Sequence, residues 1–354
     1  MKFYIIDASS FLFRAYFAIR NMRAPDGFAT NALYGFVRAL LKIQDDFHPE
    51  HIAVVYDAPS NKASRQAIYP DYKGKRHKAP DDLPGQIEAS KEFCDALGIQ
   101  WVAIEGVEAD DTIGTLAKKY EKLGYEVFIF SSDKDLCQLI DTKIHCVHAH
   151  KDNLVIKKKE VFDLYQVYPE EFTTYLGLIG DTSDNIPGVA GIGPKKGSAL
   201  IRQYGSIDHM PLSEDNLQIA KLSKTLATID IHVPLGRHLD SCEKKSANSP
   251  VLLELYRRYN FKSLMAGLET PKEEKKGIKK PSDAIRIHKI SEADPTLLTK
   301  AVSSTFCLYH GFNEEIEGLF VRIEDQHIHF FFKRGSVSKK IDRFFPSCEA
   351  NHHL

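Results

Sequence analysis

Short apolar runs alternate with helical hydrophobic patterns along the first half of the chain. Four runs have the length and flanking turn residues of buried strands, and they cover residues 3–6, 52–56, 101–104 and 127–130. Helical segments alternate with them at residues 9–19, 31–47, 83–97 and 112–123. The first of these helices would be capped by Ser9 or Ser10. The alternation predicts an α/β domain built on a doubly wound, mostly parallel sheet.

The second half of the chain predicts helices followed by a short strand-rich segment. Helices are expected around residues 175–179, from about Pro194, and over residues 206–268. The polar run at residues 271–282 is typical of a solvated linker. Strand patterns then cover residues 306–309, 319–323 and 327–332. We therefore divide the chain into an α/β domain (1–170), a helical domain (171–268), a linker (269–283) and a partial α/β segment (284–354).

Chain length, cysteine spacing and the apolar runs exclude several classes of protein. The 354 residues exceed the usual size of a single core, so two or more domains are expected. Six scattered cysteines without a Cys-x-x-Cys pair argue against a zinc site or a disulfide framework and suit a reducing cytoplasm. Asp7 interrupts the N-terminal apolar run, so it lacks the form of a signal peptide, and no run has the length of a membrane span. We expect a cytoplasmic protein without a membrane partner.

Acidic residues recur where the predicted strands end. The set comprises Asp7, Asp57, Glu108, Asp110, Asp111, Asp133, Asp135, Asp181 and Asp184. Acids at a helix start, as at residues 108–111, can simply interact favourably with the helix dipole. The carboxyl ends of parallel strands converge on one crevice, however, so these acids should meet and repel one another. Divalent cations with oxygen ligands relieve such repulsion, and we predict a metal site that favours Mg²⁺.

Residues 58–82 are rich in basic and aromatic side chains. They include Lys62, Arg65, Tyr69, Tyr72, Lys73, Lys75, Arg76 and Lys78. Prolines within this segment exclude one continuous helix. A charge run is usually a solvated surface, but a long basic, aromatic loop directly after Asp57 favours contact with single-stranded nucleic acid. Arg14, one turn into the first helix, fits a solvated or salt-bridged residue and a phosphate clamp equally well.

A glycine-rich turn lies between two predicted helices near residues 180–194. Gly188, Gly191 and Gly193 allow the backbone to approach a phosphate closely, and the next helix start offers free N–H groups. Lys195 and Lys196 lie in the first turn of that helix, where cations are unfavourable unless an anion binds. A purely structural helix corner is the alternative, but the lysines favour contact with the DNA backbone.

Five motifs in order resemble the 5′ nuclease domain of bacterial DNA polymerase I, within the flap endonuclease superfamily. They are Ile-Asp7-Ala-Ser, Tyr72-Lys73-Gly-Lys-Arg76, Gly-Val-Glu108-Ala-Asp110-Asp111, Ser-Asp133-Lys-Asp135-Leu and Gly-Asp181-Thr-Ser-Asp184-Asn-Ile-Pro-Gly. The resemblance runs from about residue 1 to residue 268, and no expected acid is missing. It implies a PIN-like α/β fold with a helix–three-turn–helix DNA-binding domain. It also implies Mg²⁺-dependent cleavage of DNA at 5′ flaps and nicks in replication and repair, with Mn²⁺ able to substitute.

The resemblance further implies roles for individual residues. The first metal would be held by Asp7, Asp57, Glu108 and Asp110. The second would be held, directly or through water, by Asp111, Asp133, Asp135, Asp181 and Asp184. The residues that match phosphate-steering positions are Arg14, Lys73 and Arg76.

By the same resemblance, two surfaces would contact DNA. Residues 58–82 would form an arch over the displaced 5′ strand, with contacts from Arg65, Tyr72 and Lys75. The downstream duplex would meet the hairpin and helix start that contain Gly188, Gly191, Gly193, Lys195 and Lys196. In many family members the hairpin carbonyls also bind K⁺. A monomer acting on branched DNA is expected.

The C-terminal segment departs from the family pattern. Residues 284–354 resemble the start of a 3′–5′ exonuclease-like domain, but Phe306-Cys307-Leu308-Tyr309 stands where its first strand would carry an Asp-x-Glu pair. Proofreading is therefore not expected. The main alternative function is a structure-specific DNA-binding module that has lost catalysis, although nine retained acids argue against it. A phosphatase with an aspartyl nucleophile is disfavoured, because Ser9 occupies the position of its second acid.

Overall fold

The computed structural model describes residues 1–75, 78–236, 239 and 241–269, and the backbone of short strands between residues 285 and 331. The chain divides into two compact units, Met1–Glu269 and Thr270–Leu354, and each is considered by itself. In the part of the chain that is described, no helix has the length and apolar character needed to cross a membrane.

A six-stranded sheet forms the centre of the first unit. Its strands are β1 (Lys2–Asp7), β2 (His51–Val55), β3 (Gln100–Val102), β4 (Glu126–Phe130), β5 (Ile144–His148) and β6 (Leu154–Ile156). They lie in the order β3-β2-β1-β4-β5-β6, and each pair is parallel except β5 with β6. Asp7 at the end of β1 lies level with Val55 at the end of β2. The predicted mostly parallel sheet is confirmed, and the four predicted strands correspond to β1, β2, β3 and β4. The short antiparallel strand β6 was not predicted.

Helices cover both faces of this sheet. The helices in this part of the chain are α1 (Ala8–Ala18), α2 (Asn31–Phe47), α3 (Ala63–Ile68), α4 (Leu83–Ala96) and α5 (Ala109–Lys122). Phe3 and Ile5 of β1 belong to a core shared with α5, whereas Tyr4 and Ile6 belong to a second core shared with α2 and α4. Because β1 is buried on both faces, its sequence is a continuous apolar run, as is typical of a parallel sheet.

Further helices complete the described part of the first unit. They are α6 (Lys158–Tyr165), α7 (Phe172–Ile179), α8 (Pro194–Tyr204), α9 (Glu214–Ala227), α10 (Ser249–Arg258) and α11 (Lys262–Glu269). α7 packs against α8 and α9, and α10 packs against α4. Gly177 permits the close approach of α7 to α9, since an added Cβ would lie 2.9 Å from the carbonyl oxygen of Ala220. The helices predicted around residues 175–179, from Pro194 and after residue 206 are present.

Two helices begin earlier than predicted because aspartates interact with their first turns. α1 begins at Ala8, since the carboxylate of Asp7 accepts the backbone N–H of Ser10 at 3.1 Å and replaces the predicted serine cap. α5 begins three residues earlier than predicted, at Ala109, whose N–H donates to Asp57 Oδ1 at 3.1 Å. The second contact joins residues far apart in the chain, so the local pattern could not show it.

The second unit contains a small sheet. Its strands are β7 (Ile285–Ile287), β8 (Phe306–His310), β9 (Ile316–Ile323) and β10 (Gln326–Phe331). Their order is β7-β10-β9-β8, with β7 parallel to β10 and the other pairs antiparallel. The three strand patterns predicted after residue 305 fall on β8, β9 and β10 where the structure describes them.

Candidate metal centre and nucleic-acid interface

A cavity of about 730 Å³ opens at the carboxyl ends of the parallel strands. Seven of the nine predicted acids line it, namely Asp7, Asp57, Asp110, Asp133, Asp135, Asp181 and Asp184. They come from the ends of different strands, the first turn of α5 and the loop after α7. The structure therefore brings together most of the predicted carboxylates, as the convergence of strand ends requires.

Neutral donors hold the two acids that follow β1 and β2. Asp7 accepts a hydrogen bond from Ser131 Oγ at 2.6 Å, in addition to the contact that begins α1. Asp57 accepts hydrogen bonds from Ser9 Oγ at 2.8 Å and from Asn61 Nδ2 at 2.7 Å. These contacts fix the carboxylates in place without cancelling their charge.

Burial and mutual repulsion raise the pKa of several of these acids. Burial raises the pKa of Asp7 from 3.8 to about 7, although hydrogen bonds oppose the shift. Burial, followed by the charges of Asp133 and Asp181, raises the pKa of Asp135 to about 8. Burial also raises the pKa of Asp133, and burial together with neighbouring aspartates raises that of Asp110 well above its usual value. Burial and mutual repulsion therefore disfavour full ionisation of these acids in the protein alone.

The donor set of the cavity fits a hard divalent cation. As the side chains lie, no three His, Cys, Asp or Glu residues among those described form a group that could hold one ion. The lining is nevertheless rich in carboxylate oxygens, which Mg²⁺ prefers. The buried Oδ1 of Asp135 has no hydrogen-bond partner in the described part of the chain. A cation at this position would satisfy that oxygen and relieve the repulsion between the acids.

Glu108 and Asp111, both predicted as metal ligands, are buried and do not line the cavity. Asp111 forms a bidentate ion pair with Arg65, and both N–O distances are 2.7 Å. Glu108 lies 3.1 Å from Arg65 and also pairs with Lys73. Cations of the protein therefore already compensate these two carboxylates, so the structure does not bring them to the predicted ligand positions.

Arg65 and Tyr72, which were predicted to contact DNA, lie in the interior. Besides its ion pairs, Arg65 donates to the carbonyl oxygens of Leu226 and Thr228 at 3.0 and 2.9 Å. Tyr72 is 2% exposed, and its hydroxyl lies 3.2 Å from Asp184 Oδ2. The structure corrects this prediction, because buried acids and carbonyls use these polar groups and leave them no surface for DNA.

The predicted phosphate-steering cations occupy different places. Lys73 lines the cavity, and its backbone is left-handed with φ 53°. Its N–H donates to the Asp184 carbonyl at 2.8 Å, and its ammonium lies 3.4 Å from the carboxylate of the same residue. Arg14 is exposed in a neighbouring pocket beside His150 and does not line the main cavity. Arg76 lies outside the described residues.

The glycine-rich segment forms the predicted tight connection between α7 and α8. Gly188 and Gly191 have φ values of 64° and 74°, a left-handed backbone that suits glycine. Gly193 directly precedes α8, and Lys195 and Lys196 are exposed in its first turn. A cationic surface with free N–H groups therefore lies in the same unit as the acidic cavity.

Family models match most of this chain. Residues 2–166 match the 5′-3′ exonuclease, N-terminal resolvase-like domain, and residues 167–250 match the 5′-3′ exonuclease, C-terminal SAM fold. The chain belongs to the 5′-3′ exonuclease family. A 5′-3′ exonuclease of Aquifex aeolicus is 41% identical over 207 residues, which cover 58% of this chain and 71% of that protein. DNA polymerase I of Bacillus subtilis is 35% identical over 283 residues, which cover 75% of this chain and 32% of the polymerase. The chain thus spans about a third of the length of that polymerase.

Solved structures share the fold of this 5′-3′ exonuclease family member. The T5 D15 protein co-crystallised with metal ions has a TM-score of 0.52 at 20% identity, covering 76% of this chain and 97% of that one. The catalytic core of Rad2 in complex with DNA substrate has a TM-score of 0.52 at 16% identity, covering 75% and 92%. Together with the family models, these similarities place the α/β sheet and the SAM-like helices in one known architecture.

Two lysines of this 5′-3′ exonuclease family member line the cavity, although the sequence analysis did not assign them to the site. They are Lys62 and Lys134. Lys134 Nζ lies 2.5 Å from Asp181 Oδ2, and although burial alone would raise the pKa of Asp181, this contact lowers it. The available signal was a lysine directly between Asp133 and Asp135, where a cation is unexpected among metal ligands. Lys75, which was predicted to contact DNA, is exposed and does not line the cavity.

Proposed function

We propose that this chain is a structure-specific 5′ nuclease that hydrolyses DNA phosphodiester bonds at 5′ flaps and nicks in bacterial replication and repair. The convergence of seven carboxylates on one cavity, in a unit that also has an exposed cationic helix start, carries the proposal. Membership of the 5′-3′ exonuclease family supports the reaction, and the bacterial polymerase relatives support action on cytoplasmic DNA. We also propose that the protein acts as a monomer.

The reaction would depend on Mg²⁺, with Mn²⁺ able to substitute. The residues that would hold one ion are Asp7, Asp57 and Asp110. Those that would hold another, directly or through water, are Asp133, Asp135, Asp181 and Asp184. A pair of such ions activates water and stabilises the leaving oxygen of a phosphodiester. Glu108 and Asp111 would support the site from behind the cavity wall, through their contacts with Lys73 and Arg65.

Side chains of the basic loop would place the scissile phosphate. Lys73 already lies among the acids, and its ammonium would stabilise the negative charge that develops on the phosphate. Residues 58–82 would guide the displaced 5′ strand, with Lys75 and Arg76 along its path. Arg14 would contact a neighbouring phosphate from α1.

The downstream duplex would bind at the connection between α7 and α8. Backbone N–H groups at the start of α8, together with Lys195 and Lys196, would contact phosphates. Gly188 and Gly191 let the backbone approach the strand closely. We extend the proposal to a K⁺ ion on the carbonyls of this hairpin. Contacts of this kind read the backbone and not the bases, so binding would be independent of sequence and sensitive to salt.

We also propose a division of roles along the chain. Residues 1–170 would form the catalytic domain, residues 171–268 the helix–three-turn–helix DNA-binding domain and residues 269–283 a linker. The matches of two family models on either side of residue 166 support the first boundary, and the end of the compact unit at Glu269 supports the second. Residues 284–354 would be a partial 3′–5′ exonuclease-like domain without catalytic acids.

Cleavage of a 5′-labelled double-flap DNA at low salt, with Mg²⁺ or with EDTA, tests the proposal. We expect cleavage near the flap junction only with Mg²⁺, and a rate reduced by about 10³-fold or more in Asp133→Asn, since a metal ligand contributes several kcal/mol to such a step. Asp163→Asn, which changes an exposed acid on α6, is the matched control and should cleave normally. Binding without cleavage in the wild type would favour the catalytically silent DNA-binding module. Neither binding nor cleavage would reject both functions.

A further inference from the structure

A groove between α1 and α2 combines an apolar interior with basic residues at its edge. Its volume is about 240 Å³, and residues of the turn between β5 and β6 also line it. Aliphatic side chains form most of its surface, namely those of Ala15, Ala18, Ile19, Ala39 and Ile43. Arg14, Lys42 and His150 are exposed and line it as well. In the described part of the chain, no acid belongs to this lining.

The basic residues at the edge of the groove can bind a further carboxylate. Lys42 pairs with Asp46 at 2.7 Å, but its side chain is 62% exposed, and a surface pair of this kind contributes little. Asp46 also accepts a hydrogen bond from Asn153 at 2.8 Å, so two groups share its carboxylate. Burial, followed by the positive charge of Arg14, lowers the pKa of His150. This edge therefore favours a ligand with negative charge.

The size and lining of the groove favour the side chain of a peptide over a cofactor or a nucleobase. Small-molecule sites typically enclose about 300–1,000 Å³, so this groove suits one large side chain better than an organic cofactor. Single strands of nucleic acid are held by stacking their bases on aromatic side chains, but Phe11 is the only Phe, Tyr or Trp in the lining that the structure describes. Peptide segments commonly place apolar anchors in a hydrophobic groove, while polar groups at its rim set their position.

We propose that this groove binds an acidic segment of a partner protein, which places one large apolar side chain between α1 and α2. Carboxylates beside that side chain pair with Lys42 and Arg14 at the edge. The inference goes beyond the proposed nuclease function and does not rest on it. A small neighbouring pocket shares Arg14 and His150 with the groove and Ser10 with the acidic cavity. The docked segment thus lies beside the cavity, whose acids repel it, so the partner holds the enzyme without filling its site.

Selection of short random peptides on the intact chain provides a probe for the groove. The peptides are displayed on phage, and those that also bind Ala39→Leu are removed, because leucine at this half-buried position fills the groove. We expect the remaining peptides to combine several acidic residues with one large apolar residue. The proposal would be overturned if no peptide remained, or if those that remained lacked this pattern.

The affinity of one selected peptide, labelled with fluorescein, tests the interior and the edge of the groove separately. We expect Ala18→Leu, which fills the groove from α1, and Lys42→Glu, which reverses a charge at its edge, each to weaken binding by about tenfold or more. Lys159→Glu is the matched control for Lys42→Glu, since Lys159 on α6 is also exposed and paired with an acid four positions later. It should bind the peptide like the wild type. Wild-type affinity in either Ala18→Leu or Lys42→Glu would overturn the proposed site.

Single-stranded DNA is the alternative occupant of the groove. A fluorescein-labelled thymidine oligonucleotide is titrated with the wild type, Ala18→Leu and Ala39→Leu. We expect all three to bind it equally, because neither substitution changes a charge. A loss in both variants as large as the loss of peptide binding would show that the groove binds nucleic acid, and it would overturn the peptide proposal.

Flap cleavage and circular dichroism show that the variants are intact. Ala39→Leu and Lys42→Glu should cleave flap DNA normally, because neither position lines the acidic cavity. Loss of cleavage in a folded variant would assign the groove to the DNA site and overturn the proposal. If Ala39→Leu does not fold, Ala18→Leu, at an exposed position, replaces it in the selection, and Lys42→Glu still tests the edge. A wild type that binds the selected peptide but does not cleave DNA would reject the nuclease function alone.

Discussion

At the scale of single residues, the nine acids divide into two groups according to whether they line the cavity. Glu108 and Asp111 are buried against Arg65 and Lys73, whereas the seven others face a cavity. A buried carboxylate needs a paired cation and hydrogen bonds to offset its loss of hydration. We therefore expect the first group to stabilise the fold around the site. The acids of the cavity, of which Asp181 and Asp184 also lie near lysines, are the candidates for binding a metal.

Arg65→Ala should destabilise the protein strongly. The arginine side chain is 11% exposed, and its removal would leave Asp111 buried without its bidentate partner. We expect a loss of about 3–5 kcal/mol in the free energy of unfolding, as for breaking a buried ion pair. Urea unfolding in EDTA measures it.

Arg258→Ala is the matched control for that experiment. Arg258 also pairs with two acids, Glu92 and Glu254, but its side chain is 48% exposed. Surface ion pairs contribute little, so the loss should stay below about 1 kcal/mol. Similar losses in the two variants would show that the Arg65 network does not stabilise the fold in the way its burial suggests.

The predicted strand ends showed where the acids of the cavity lie. They could not show which residues pair with each acid. Asp7 and Asp57 could be found because an acid directly after a buried strand is a local pattern. The burial of Asp111 depends on its ion pair with Arg65, which lies 46 positions away in the sequence. The sequence contains no sign of that ion pair. Arg65 was therefore predicted to contact DNA, whereas its side chain lies in the interior.

At the scale of elements, local patterns predicted helices and strands well where residues within or next to an element determine where it begins and ends. The predicted bounds of α2, Asn31 and Phe47, agree with the structure, because its apolar face is continuous and Pro49 follows closely. The start of α5 and the edge strand β6 were not predicted. The first depends on Asp57 in another segment, and the second is only three residues long.

The connection after α7 is also determined by contacts between elements. Gly188 passes so close to the end of α7 that an added Cβ would lie 2.4 Å from the backbone nitrogen of Gly180. At Gly191 an added Cβ would meet nothing within 4 Å, although its φ is also positive. The two glycines therefore separate the effect of backbone conformation from the effect of crowding.

Gly188→Ala should destabilise the protein more than Gly191→Ala. Both variants should lose about 1–2 kcal/mol, because alanine is strained in the left-handed region. Gly188→Ala should lose a further 1–3 kcal/mol, roughly the cost of overpacking against backbone atoms. Thermal unfolding of both variants beside the wild type measures the difference, and equal losses would mean that the backbone relaxes around the extra methyl group.

At the scale of the whole molecule, the net charge hides a separation of charges. The sum of −1 results from 47 basic and 48 acidic residues. Even so, seven acids and three lysines line one cavity, whereas Lys195 and Lys196 are exposed on α8. Composition could not predict this separation, because only the fold brings the acids together. Because protons and metal would bind the same acids, the effect of pH on stability should depend on whether metal is bound.

In the absence of metal, the protein should be less stable at pH 8 than at pH 5. The pKa of Asp7 is raised from 3.8 to about 7 and that of Asp135 to about 8, so between pH 4 and pH 8 the folded state holds protons that the unfolded state has released. The free energy of unfolding therefore falls as pH rises through this range. Asp141, with its pKa lowered to about 2, contributes stability that is already complete above pH 5. Burial lowers the pKa of His148 and of His150 from 6.5, so below that pH the unfolded state binds more protons at these two groups. Their contribution to the free energy of unfolding therefore rises with pH, opposite to that of the cavity acids.

Comparing melting temperatures in EDTA and in excess Mg²⁺ separates these contributions, because the histidines contribute equally with and without the ion. Mg²⁺ binds the ionised carboxylates, so it should raise the melting temperature at pH 8 by several degrees and much less at pH 5, where protons compete for the same oxygens. Asp7→Asn should raise the melting temperature in EDTA at pH 8, because it removes a buried charge, and it should reduce the stabilisation by Mg²⁺. If Mg²⁺ raised the melting temperature equally at pH 5 and pH 8, metal binding and proton binding would not be coupled. The ion would then bind elsewhere than among the acids whose pKa is raised.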